Sequence, residues 1–96
     1  ALEQAKLLLT QRHFTQARRV LHQASALDPA NAETLNLLGV CYELQGHVQE
    51  AARFFRAALS FDPSYTASQQ NLVRVTRWNY TPEGVEEDLR PGAEVK

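Results

Sequence analysis

The stretch AETLNLLGVCYELQGHVQEAARFFRAALSFDP, residues 32–63, decides the fold. Leu35, Leu38 and Tyr42 recur at helical spacing between Ala32 and Gln45, and Gly46 then supplies a stop. A second helix follows, with Ala51, Phe55, Ala58 and Leu59 on one face, and it ends ahead of Asp62-Pro63. A proline ring pushes the residue before it out of the α conformation, so the Asp-Pro pair marks a turn. Gly39, Ala51 and Ala58 are small enough for two helix axes to approach closely, while Tyr42 and Phe55 fill the space between layers. The stretch therefore predicts an antiparallel pair of helices, A then B.

The same pattern lies on its N-terminal side. Asp28-Pro29 returns as Asp62-Pro63, a shift of 63 − 29 = 34 residues. That shift also maps Gln11 onto Gln45, His13 onto His47, Ala17 onto Ala51, Arg19 onto Arg53 and Ala24 onto Ala58, seven identities in all. The first unit places Ala5 and Leu8 on the inner face of its helix A, and Ala17, Leu21 and Ala24 on that of its helix B. A helix pair cannot bury its apolar face alone, so stacked neighbours must complete the core. On the C-terminal side, residues 66 to 78 place Leu72 and Val75 on one side and Gln69, Gln70, Arg74 and Arg77 elsewhere, a half-polar pattern suited to a final covering helix.

The run Leu35-Asn36-Leu37-Leu38-Gly39, followed by Tyr42, Gly46, Ala51, Phe55, Ala58 and Asp62-Pro63, resembles the tetratricopeptide repeat (TPR). Leu35 departs from it, standing where the family often has Trp. In the first unit Ala5 replaces the usual Gly, Leu8 the Tyr and Leu21 the Phe, each keeping roughly the bulk. The resemblance implies an all-α fold: a right-handed superhelical stack of antiparallel helix pairs, with two full repeats and a final helix. The expected organisation is a truncated first repeat over 1–31, a second over 32–65, a capping helix or partial third repeat over 66–80, and an acidic tail over 81–96, which could hold a short helix opened by Thr81 and Pro82.

Composition agrees with this reading and narrows the function. The 96 residues fit one domain, 44% are apolar, and Gly and Pro number only four each, a balance that suits helices. A net charge of −1 gives no global field toward nucleic acid or membrane. The lone Cys41 cannot form an internal disulfide or a cysteine-based zinc site, and helical spacing sets it on a packed face as a small core residue. No signal-like N-terminus or long apolar run is present, and a chain opening at Ala1-Leu2-Glu3 has the look of an excised fragment; a cytoplasmic compartment is favoured.

Members of the family bind peptides or helices on the concave face lined by their A helices. Carried across position by position, that face takes Leu2, Lys6 and Leu9 from the first unit. The second unit gives Asn36, Val40 and Glu43, and the third helix Asn71, Arg74, Arg77 and Trp78. Asn can satisfy the backbone of an extended peptide, and Arg can hold a carboxylate bidentately. The family's clamp for chaperone C-terminal carboxylates is not expected here, because Lys6 stands where that clamp wants Asn and Leu2 where it wants Lys. Ala67 and Asn71 stand where the clamp wants basic residues. The acids Glu83, Glu86, Glu87 and Asp88 could fold back on Arg74 and Arg77, although a solvated tail is the simpler expectation.

Other chemistries find little support. His13 and His47 sit at equivalent turns, which repetition explains without a metal. His22 shares the outer face of its helix with Arg18 and Arg19, and those two with Arg12 form a basic patch too sparse, and too free of interleaved aromatics, for nucleic acid. No Gly-rich phosphate loop, nucleophile elbow or HExxH occurs. The expectation is a non-enzymatic adaptor that needs no cofactor and presents its A-helix groove to a protein or peptide. The alternative is a structural module that self-associates weakly or stacks on further repeats through apolar surface at Leu2, Leu9 or Trp78.

Overall fold

The computed structural model describes residues 2–77, and these form five helices. They are α1 (Leu2–Thr10), α2 (Phe14–Leu27), α3 (Ala32–Leu44), α4 (Val48–Phe61) and α5 (Thr66–Val75). Each helix packs on the next in sequence, and α1 and α5 also touch α3, so the three A helices form one layer and α2 and α4 the other. Trp78 and the acidic tail lie outside the described residues.

The turns repeat as faithfully as the helices. His47 N–H donates to Tyr42 C=O at 2.9 Å and Gly46 N–H to Glu43 C=O at 2.9 Å, with Gly46 at φ 85°. This closes α3 with a left-handed residue that satisfies two orphan carbonyls. The end of α1 has the same geometry, His13 N–H to Leu8 C=O at 2.8 Å and Arg12 N–H to Leu9 C=O at 3.0 Å, but the left-handed position is Arg12, at φ 63°. Both B helices end on extended aspartates, Asp28 at φ −143° and Asp62 at φ −140°, as a following proline requires. Asn31 caps α3, its side-chain oxygen accepting the Thr34 N–H at 2.9 Å.

The core falls into two clusters along the stack. Ala5, Leu9, Ala17, Leu21, Leu38 and Cys41 close the junction of α1, α2 and α3. Ala51, Ala52, Phe55 and Val75 close that of α4 and α5. Between α3 and α4 the fully buried Phe55 ring lies flat against Gly39, so near that a Cβ added there would stand 2.4 Å from Cε1. Glycine is required at this point for the helices to meet. Tyr42 is half-buried, stacked on Phe54 with centroids 5.2 Å apart and covered from α2 by the Arg18 guanidinium 5.6 Å from its ring centre.

The two ends of the described stack are solvated. A shift of 34 residues places Gln4 at the position of the buried Leu38, and Gln4 is exposed on the outer side of α1. At the other end Gln69, Val73 and Thr76 occupy the positions of Leu35, Gly39 and Tyr42, and all three are exposed. Val73 also brings a β-branched side chain to the one place where α3 needs a glycine to receive its helix B.

Candidate protein-binding face

The layer of α1, α3 and α5 carries the residues expected to bind, and the structure divides them into those tied up in packing and those left accessible. Asn36 is 5% exposed, and its side-chain oxygen accepts the Ser68 hydroxyl at 2.6 Å and the Asn71 amide at 3.1 Å. Glu43 is 2% exposed and receives Arg74 bidentately, Nε at 2.8 Å and Nη2 at 2.6 Å. Both sets of contacts tie α3 to α5. Among the described residues no buried side-chain nitrogen or oxygen lacks a partner, as a polar seam between helices demands. Asn36 and Glu43, expected on the binding face, thus have their polar atoms engaged with the third A helix. Leu9, the counterpart of Glu43 one unit earlier, is 7% exposed and belongs to the core.

What remains accessible is a different subset. Lys6 is exposed on α1 and reaches Glu33 of α3 at 2.9 Å and Glu3 at 3.9 Å. The hydrogen bond to Glu33 raises the Lys6 pKa. Tyr65, at the start of α5, has its phenol pKa raised by partial burial and then by Glu33. Leu2 and Val40 are half-buried, and so are Asn71 and Arg74, while Arg77 is exposed just past the end of α5. Leu37, also half-buried, packs with Leu2 and Val40 against the first core cluster. Carry-over from the repeat pattern missed Leu37, although its position three residues before Val40 on the same helix could have indicated it. It also missed Ser68, whose hydroxyl faces Asn36; a small polar residue aligned with the buried Thr34 was the available signal.

The other candidates behave as packing elements. Cys41 is fully buried, its Sγ 3.6 Å from the Phe14 carbonyl. His13 and His47 both precede a helix B, and no group of three or more metal-binding side chains comes together among the described residues. His22 lies against Tyr42 and Phe54, beside the Arg18 guanidinium that covers the same Tyr42 ring. No described helix is long and apolar enough to cross a membrane.

Stacked antiparallel pairs with a left-handed closure after α1 and α3, a glycine under the B-helix aromatic of the second pair and an accessible A-helix layer define a helical-repeat module of the kind that presents a surface to other proteins. A model of the tetratricopeptide repeat matches residues 2–66, and the chain belongs to that family. Among characterised proteins it is similar to the probable UDP-N-acetylglucosamine–peptide N-acetylglucosaminyltransferase SPINDLY of Hordeum vulgare, 40% identical over 60 residues. That match covers 62% of this chain and 6% of the barley protein. The proteins of the same description from Solanum lycopersicum and Petunia hybrida are each 40% identical over 53 residues, covering 55% of this chain and 6% of theirs. The chain thus spans only a small fraction of the relatives it matches, and the likeness lies in residues of the repeat kind.

Proposed function

We propose that this chain is a non-catalytic interaction module that holds a protein or peptide segment against the layer of α1, α3 and α5. One observation carries the reading: polar contacts join all three A helices, Lys6 to Glu33 on one side of α3 and Asn36 and Glu43 to α5 on the other. A surface fixed in this way loses little ordering entropy on binding. Membership of a family whose repeats generally mediate protein–protein contact supports the same reading. The named activity of the relatives is theirs, and the shared segment is 6% of the barley protein. Leu9 is too deeply buried to mediate the alternative of stacking through the ends, whereas Leu7 and Val73 are exposed there beside Gln4, Gln69 and Thr76 and keep that alternative as the second reading.

The test is affinity capture with mass spectrometry, comparing the native chain with two double variants. Lys6→Glu with Arg77→Glu alters accessible residues of the A-helix layer; Arg19→Glu with Arg53→Glu alters equivalent exposed residues of the B helices. The second variant should keep the native melting temperature, since both side chains are exposed. The first gives up the Lys6–Glu33 contact and sets a third carboxylate beside Glu3 and Glu33, so it should melt slightly lower while keeping the native helicity. A partner lost only by the first variant supports the reading. A partner lost only by the second places binding on the opposite layer and ends it.

A further inference from the structure

We infer that the N-terminal end of the stack is the contact surface of a homodimer, in which a second copy of this chain lies against the outward sides of α1 and α2 about a two-fold axis. The repeat itself identifies that surface. Leu38 and Cys41 of α3 close over Ala17 and Leu21 of α2, with Cys41 Sγ 3.6 Å from the Phe14 carbonyl. Phe54 of α4 meets the His22 ring of α2 with centroids 6.3 Å apart. Residues 38, 41 and 54 thus mark the sides of α3 and α4 that receive the preceding helix B. One repeat earlier the same positions are Gln4, Leu7 and Val20, and no described helix covers that side of α1 and α2. Helical spacing adds Gln11, four residues past Leu7, and Gln23 and Leu27, three and seven residues past Val20.

Two properties of this end select a second copy as its occupant. It is apolar: Cys41 is fully buried, but Leu7 in its place is 56% exposed, and Leu27 is 88% exposed. Burying both against a partner removes that surface from water. It is also uncharged, since none of the six side chains is ionisable. The charged residues next to them in sequence are turned elsewhere, Glu3 toward Lys6 at 3.9 Å and the Arg12 guanidinium over the Phe14 ring at 5.1 Å. A face without charge meets an identical face with no like-charge penalty. Glutamine amides both donate and accept, so they can pair with the glutamines of a copy. A two-fold contact requires such self-complementarity. The other end fails on both counts. Val73 is the single large apolar side chain exposed on α5, and that helix is followed in sequence by residues 81–96, with five acids against Arg90 and Lys96. Two copies joined there would bring like charge together.

The experiment follows molar mass by light scattering as the purified chain is taken from micromolar to millimolar concentration. The mass should rise from that of one chain toward that of two and stop there, because a two-fold contact closes. Leu7→Lys with Leu27→Lys should hold the mass at one chain throughout. Both side chains are exposed, so the variant should fold, and an unchanged helical circular dichroism spectrum checks that. Leu7→Glu with Leu27→Glu should behave alike. An equal mixture of the Lys and Glu variants should pair again, more tightly at low salt, which unfolded chains would not do. Val73→Lys, at the other end, should leave the native rise unchanged. A mass that stays at one chain at every concentration overturns the inference, and so does one that climbs past two. Failure of the mixed variants to pair overturns it too. A rise abolished by Val73→Lys but not by the changes at Leu7 and Leu27 puts the contact on α5 and overturns it as well. The contact lies outside the A-helix layer, so binding there stands or falls by its own test.

Discussion

The carboxylate of Glu43 and the guanidinium of Arg74 join α3 to α5 through two hydrogen bonds of 2.8 and 2.6 Å. The acid is 2% exposed and the base 29%. Such a pair gains little net stability over a well-packed apolar one, because desolvation offsets attraction, but breaking it strands a buried charge. Arg74→Met should therefore cost about 2–3 kcal/mol in urea denaturation, below the usual figure for a fully buried pair because water reaches part of the guanidinium. Glu43→Leu combined with Arg74→Leu should recover most of that loss, since Leu9 already fills the position equivalent to Glu43. Additive losses in the double variant would mean the two side chains act separately.

Gly39 and Phe55 make the tightest demand in the fold. A methyl group at residue 39 would stand 2.4, 2.6 and 2.9 Å from ring atoms of a fully buried Phe55, which has no solvent side to swing toward. In an exposed helix, Gly→Ala would stabilise by about 1 kcal/mol. Here overpacking of about 1–3 kcal/mol opposes it, so Gly39→Ala should lower the melting temperature. Adding Phe55→Leu should make the double variant less unstable than the sum of the two single changes, because one loss relieves the other. A Gly39→Ala chain that melts higher than the native one would contradict the packing described.

Arg12 and Gly46 occupy the same left-handed position one repeat apart, at φ 63° and 85°. A side chain there costs roughly 1–2 kcal/mol and glycine almost nothing. Gly46→Ala should accordingly destabilise by about 1 kcal/mol. Arg12→Gly should stabilise by less than that, because it also gives up the contact of the Arg12 guanidinium with the Phe14 ring at 5.1 Å. Paired thermal melts would check both signs at once.

The same comparison shows what the chain's letters carry. Helix limits, the Asp-Pro turns and most of the core follow from spacing, because apolar periodicity and proline sterics act locally: Ala17, Leu21, Leu38, Ala51, Phe55 and Ala58 are all fully buried as their positions require. The state of the binding face was less legible. Asn36 and Glu43 sit at positions that point toward a ligand in the repeat pattern, and only the residues α5 happens to bring, Ser68, Asn71 and Arg74, decide that they are used internally. That is a pairing across about one repeat length, which no local period encodes. Arg12 was hidden for a different reason. Its backbone conformation is imposed by the turn, and an arginine does not announce it as Gly46 does.

Cys41 offers a final check on how firmly α2 closes over α3. Its thiol is fully buried, 3.6 Å from the Phe14 carbonyl and 3.8 Å from Gln45 Oε1. Burial raises its pKa, and the nearby Arg18 lowers it only in part. A thiol held neutral in the fold contributes stability that is complete below its unfolded pKa and is lost as pH rises above about 8.5 toward the folded value, since the unfolded chain ionises first. Tyr65, whose pKa is also raised, gives a loss of the same sign near its own range, so the two must be separated. Subtracting the pH–stability curve of Cys41→Ala from that of the native chain removes the tyrosine. The difference should fall as pH climbs through the alkaline range. A thiol reagent should also label the native chain far more slowly than the chain in urea, because the thiolate is the reactive form and the fold both hides and protonates it. A flat difference curve together with rapid labelling would mean that α2 opens readily from α3, and that the first core cluster is looser than its packing indicates.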